Sequence, residues 1–94
     1  MTTSIYTIDD KIWNTYARQK YAVNNLLVLG FKTVKTIEYA GSKFDSVEGL
    51  SVDPRKSNME IKRAKQSPIN INIGTPDKVL IKDKGLNTIQ IIVS

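Results

Sequence analysis

Residues 9–30, DDKIWNTYARQKYAVNNLLVLG, decide the fold. Read with the helical period, the apolar residues Ile12, Trp13, Tyr16, Ala17, Val23, Leu26 and Leu27 fall mostly three or four apart. Asp9 stands where an N-cap belongs, because its carboxylate can accept the orphan N–H groups of a first turn. Asp10 adds a negative charge beside the positive end of the helix dipole. Ile8 and Trp13 then occupy the two positions of a hydrophobic staple. Lys20 interrupts the apolar stripe, with a stem long enough to snorkel. Gly30 closes the segment as a left-handed terminal residue, and Phe31 is placed to fold back on the last turn. The expectation is one amphipathic helix over about 9–29. Two shorter helices broken near Tyr21-Ala22-Val23 are the alternative.

Outward from this segment, strand signals dominate. Ser4 to Ile8 reads as a short strand, and Thr33 to Tyr39 as another, rich in β-branched residues. Val34 and Ile37 have opposite parity there, so either both faces are partly covered or a bulge intervenes. Phe44 to Pro54 reads as a loop with room for one short strand, and Asp53 to Asn58 as a surface turn. Met59 to Ala64 alternates as a strand. Ile69-Asn70-Ile71-Asn72-Ile73 alternates strictly, the pattern of a sheet with one face buried. Gly74 to Asp77 is a turn. Lys78 to Lys82 is a strand, Asp83-Lys84-Gly85 a three-residue hairpin loop with Gly at the left-handed position, and Leu86 to Val93 the last strand. The predicted fold is α+β, a single domain over 1–94: one N-terminal amphipathic helix packed on a largely antiparallel sheet with a C-terminal β-meander. The predicted core is Ile8, Ile12, Trp13, Tyr16, Val23, Leu27, Ile37, Ile61, Ile69, Ile71, Ile73, Val79, Ile81, Ile89, Ile91 and Val93.

Composition narrows the chemistry. The 94 residues hold 14 Lys and Arg against 9 Asp and Glu, a net charge of +5, with no Cys and no His. Thiol nucleophiles, thiolate metal sites and disulfides are therefore excluded, as are imidazole bases and ligands. The five glycines are isolated and no Gly-Lys-Ser/Thr run exists, so no phosphate loop is encoded. The longest apolar run, Leu26 to Leu29, is far too short to span a membrane, and Met1-Thr2-Thr3-Ser4 lacks the features of a leader. The expectation is a non-enzymatic chain with no cofactor, no small-molecule substrate and no membrane association, cytoplasmic or incorporated in a virion or other assembly. The nearest approach to a catalytic pattern is Asp45 or Asp53 followed by Glu60-Ile61-Lys62; Asp53 and Glu60-x-Lys62 resemble the acidic and Glu-x-Lys elements of PD-(D/E)xK nucleases, which implies a Mg²⁺-dependent nuclease. Here Ser67-Pro68 leads into another strand where those folds continue with a helix.

Two candidate binding surfaces emerge. The last strand places Ile89, Ile91 and Val93 on one face and Leu86 and Ile92 on the other, a two-sided apolar pattern typical of a strand covered on both sides. A single helix covers only one face, so the second layer must come from the middle segment around Phe44, Val47 and Leu50, or from another chain. The latter makes Leu86, Ile89, Ile91, Ile92 and Val93 a protein interface, for a protein partner or for self-association. Residues 55–66 concentrate five cations, Arg55, Lys56, Lys62, Arg63 and Lys65, against the single anion Glu60. They could contact nucleic-acid phosphates, but carry no interleaved aromatic for stacking on bases.

Tyr6-Thr7-Ile8, Asp9-Asp10, Ile12-Trp13, Tyr21 and the run from Leu26 through Gly30 resemble the opening of a LysM module. That family begins with a strand and a turn into a first helix, followed by a second. The resemblance covers about 25 residues of 94. It implies binding to N-acetylglucosamine polymers or a scaffolding role in phage tail baseplates. Together these readings favour a small structural or adaptor subunit that docks through its sheet in a larger assembly, such as a viral or phage particle. A basic nucleic-acid-binding domain is the alternative.

Overall fold

The computed structural model describes residues 2, 3 and 5–94, residues 2 and 3 by their backbone alone. Met1 and Ser4 lie outside the described residues, and with them the start of the expected strand Ser4 to Ile8. Among the described residues eleven strands form two sheets: β1 Thr2–Thr3, β2 Tyr6–Ile8, β3 Ala17–Val23, β4 Leu26–Phe31, β5 Thr36–Tyr39, β6 Ser42–Phe44, β7 Val47–Asp53, β8 Asn58–Arg63, β9 Gln66–Asn72, β10 Val79–Gly85 and β11 Thr88–Val93. Sheet A has the order β1-β2-β10-β11-β5-β6, and sheet B the order β3-β4-β7-β8-β9. Sheet B is antiparallel throughout. Sheet A contains two parallel pairings, β10 with β2 and β11 with β5. One core holds residues of both sheets: Tyr6, Ile37, Ile81 and Ile89 from A, and Leu27, Leu29, Leu50, Met59 and Ile61 from B. The molecule is thus a two-layer β-sandwich, not the expected α+β fold.

The N-terminal helix is the main correction. Where one helix or the helix pair of the LysM resemblance was expected, the chain makes a single π turn, Ile12–Tyr16, and then the hairpin β3–β4. The Asp9 carbonyl accepts from the N–H groups of Ile12 and Trp13, and the Ala17 N–H donates to the Ile12 carbonyl. The expected side-chain cap is not made: Lys11 stands at the N-cap of the turn, and the Asp9 carboxylate accepts the N–H of Asp83 on β10 at 2.7 Å. The apparent helical spacing has a simple origin. Asn24 and Asn25 adopt φ of 50° and 67°, a two-residue turn of the primed type. Such a turn sets residues i and i+3, here Val23 and Leu26, directly opposite each other. A step of three across a hairpin therefore imitates a step of three along a helix. Beyond the turn the true period is two: Leu27, Leu29 and Phe31 point into the core, while Leu26, Val28 and Gly30 point out.

The middle segment is the second correction. Val47–Asp53 is no loop but a seven-residue strand in the middle of sheet B, with Val47, Leu50 and Val52 buried. Gly49 is required there. A Cβ on it would lie 2.7 Å from the Leu29 carbonyl oxygen, closer than non-bonded atoms allow. Gly49 pairs with Gly30 on β4, and it stands where the register of β7 against β8 shifts. The C-terminal meander is also interrupted. Hairpin β8–β9 belongs to sheet B and hairpin β10–β11 to sheet A, and residues 73–78 cross between the layers. The surface turn after Asp53 is as expected: Pro54–Lys56 is one 3₁₀ turn, with the Asp53 carboxylate accepting the Arg55 N–H.

Tyr6 ties the layers together. From β2 its side chain crosses the core, and its hydroxyl donates to the Asn25 carbonyl, with the Val52 carbonyl 3.4 Å away. Burial, helped by the negative charge of Asp53, pushes its ionisation well above the ordinary tyrosine range. Among the described residues no other buried side-chain polar group enters the core, and none is left unsatisfied.

Candidate functional site

The C-terminal residues divide between four environments. Ile89 and Ile91 are buried beneath sheet B, in the chain's own core. Val93 is half-buried at the edge of that core. Ile92 points outward and is 40% exposed; it is paired with Leu80, which is paired in turn with Thr7. Leu86 is not on the strand at all. With Asn87 it forms the tip of hairpin β10–β11, at φ of 54°, and it is 98% exposed. The expected loop Asp83-Lys84-Gly85 is displaced, because Gly85 takes its left-handed conformation at a bulge just before the turn. Six residues of strand put Leu86 and Ile92 roughly 20 Å apart. Ile91, Ile92 and Val93 line a groove of about 290 Å³ beside Tyr39. Leu86 stands on the lip of a separate, polar groove. The second layer over Ile89 and Ile91 is sheet B, to which the middle segment contributes Val47 and Leu50, while Phe44 lies on β6 of sheet A.

The basic run is split as well. Arg55 and Lys56 sit in the 3₁₀ turn before β8, while Arg63 and Lys65 lie at its far end. The six residues of β8 hold these pairs roughly 17 Å apart. The Arg55 Nε is 3.7 Å from the Asp53 carboxylate. The Arg63 guanidinium donates twice, at 2.8 and 3.1 Å, to the Ser67 carbonyl of its own hairpin. Lys62 lies between, on the outer face of sheet B next to Gly49. Asp53, Glu60 and Lys62 share that outer face, but Asp53 is held by its own turn. Among the described residues no three side chains of metal-ligating type converge, and no helix is long and apolar enough to cross a membrane.

A second exposed apolar surface lies on sheet B, at β3. Tyr21 and Val23 of β3 point outward and are 44% and 56% exposed. Their cross-strand partners Val28 and Leu26 are half-buried beside them. Such opposed side chains lie about 5 Å apart and form one continuous patch. The patch ends at Ser51, which pairs with Val28 on the far side. Towards the strand's start a bulge between Ala17 and Gln19 leaves Arg18 and Gln19 together opposite Gly30. With Gly49, Glu48 and Lys62 they line a shallow trough of about 150 Å³. Lys20 turns the other way. Its ammonium donates to the Trp13 carbonyl at 2.7 Å and lies over the Trp13 ring, 5.5 Å from the centroid. β3 is an edge strand, pairing with β4 alone among the described strands.

This surface was missed at the sequence level because a helix assignment sends Val23 into the core and Tyr21 to a helix break. The Asn24-Asn25 pair followed by alternating Leu27, Leu29 and Phe31 was the signal that could have found it. The chain matches no protein-family model, no curated protein and no solved structure.

Proposed function

We propose that the protein is a non-enzymatic adaptor or structural subunit that docks, through the outer face of sheet B, onto a partner protein in a larger assembly. One observation carries this reading. Tyr21 and Val23 are held in water beside Leu26 and Val28. Aromatic and aliphatic groups grouped on a flat sheet face are the usual centre of a protein contact. The rim suits this role: Arg18, Gln19 and Lys62 on one side and Ser51 and Glu60 on the other are polar. The split of the basic run between the two ends of β8 gives the phosphate-binding alternative no comparable support.

The test is site-specific photo-crosslinking. A photoreactive phenylalanine analogue at Tyr21, in protein returned to its native source, is expected to give one discrete protein adduct. The same analogue at Thr75, in the loop between the sheets, serves as the control. Equal labelling from both positions, or no adduct from Tyr21, refutes the docking face.

A further inference from the structure

We propose that the partner contributes an extended, acidic segment that adds to sheet B as a sixth strand along β3. This deepens the docking face just described and rests on it. The two-residue turn makes Val23 and Leu26 the hydrogen-bonded closing pair of the hairpin. Alternation along an antiparallel ladder then directs the N–H and C=O of Ala22 and of Lys20 away from β4, toward the open edge. An incoming strand would find two donor–acceptor pairs aligned for it, the geometry of strand addition.

Charge decides which occupant fits. Between Ala17 and Phe31 the chain carries Arg18 and Lys20 and no acid. The trough beyond adds Lys62 and Glu48, so the edge stays positive. A second copy laid antiparallel on β3 would place two Arg18 and two Lys20 along one seam. Lys20 keeps the Trp13 carbonyl and ring as partners, but a neutral or basic strand would bring no opposite charge to it or to Arg18, and Lys on an edge strand guards against indiscriminate pairing. A strand with apolar residues opposite Tyr21 and Val23 and a carboxylate beside Lys20 satisfies both faces.

The probe is an eight-residue peptide of alternating Val and Glu, compared with its Val/Lys counterpart, using the full chain and its amide NMR spectrum. The Glu peptide is expected to shift and protect the amides of Lys20 and Ala22. It should bind at least tenfold more tightly than the Lys peptide and weaken as salt is added. Ala22→Pro removes an outward N–H without breaking the β3–β4 ladder, and should abolish binding while the chain stays folded. Lys20→Glu keeps the edge and should reverse the preference toward the Lys peptide, so the outcome does not depend on how the proline variant folds. Equal affinity for the two peptides, or Glu-peptide binding that survives Ala22→Pro in a folded chain, overturns strand addition. So does a concentration-dependent dimer of the wild type that Ala22→Pro removes, because the edge then takes a second copy. Shifts confined to Tyr21, Val23, Leu26 and Val28 refute the added strand and leave the docking face standing. Silence at every one of these positions refutes the added strand, and the crosslink from Tyr21 then decides the face separately.

Discussion

Tyr6 shows how one side chain can set the pH range of the whole sandwich. Its hydroxyl is buried, bonded to a carbonyl of the other layer and faced by Asp53. Both influences favour the neutral form, so the ionisation is raised in the folded chain above its unfolded value near 10. A group raised in this way contributes stability that is complete below pH 10 and is lost as pH climbs toward the folded value. Urea midpoints should therefore hold steady from pH 7 to about 9 and fall above about 10. Tyr6→Phe should lower the midpoint at pH 7, by about 1 kcal/mol for the lost hydrogen bond. It should also flatten the alkaline fall. An unchanged alkaline slope in Tyr6→Phe would assign that fall to other groups. Lys11 shows the weaker, exposed case. It lies over the Tyr16 ring and 4.0 Å from Asp83, and Tyr16 before Asp83 raises its ionisation. With the Lys11 side chain 63% exposed at a 4.0 Å separation, such a pair has little influence on stability.

At the scale of elements, the hairpin β3–β4 matters most, since it carries both the docking face and the edge. Its turn asks two residues to hold positive φ, which Asn tolerates better than most side chains and Gly better still. Asn25→Gly should raise stability by roughly 0.5 kcal/mol, and it keeps the carbonyl that accepts from Tyr6. Asn25→Val should cost about 1–2 kcal/mol, because a β-branched residue is strained in that region. Paired urea titrations distinguish these outcomes; equal midpoints for the two variants would mean that the turn does not govern the hairpin. The same element explains why the strands were only partly legible. Alternation placed β9, and the turn residues at Gly74 to Asp77 and Asp83 to Gly85 bracketed β10 and β11, each to within a few residues. Around residues 12–27 a π turn and a two-residue hairpin turn each brought apolar residues together at spacings of three, four or five. Local periodicity cannot tell those from a helix.

For the whole molecule, topology governs speed. Strand β2 pairs in parallel with β10, joining Tyr6 to Val79, and β5 pairs in parallel with β11, joining Thr36 to Thr88. Both pairings close most of the chain into loops before they gain any contact energy. Refolding should therefore take milliseconds to seconds, the range of sandwiches dominated by distant contacts, and not the microseconds of a helical protein. Stopped-flow fluorescence of Trp13, the only tryptophan, reads this directly. A phase complete within about 100 microseconds would contradict it.

Some features follow from the sequence by physical necessity. A chain of 94 residues without Cys or His can close one core and has no thiol or imidazole chemistry. Alternating apolar residues fall on one side of a strand, and Ile61, Ile81, Ile89 and Ile91 are all inside as expected. Which strands share a sheet is a different matter. The placing of β9 in one layer and β10 in the other, the burial of β7 and the exposure of Tyr21 and Val23 depend on pairings between residues far apart in the chain. No local period records those pairings; they are fixed only when the two layers close on a common core.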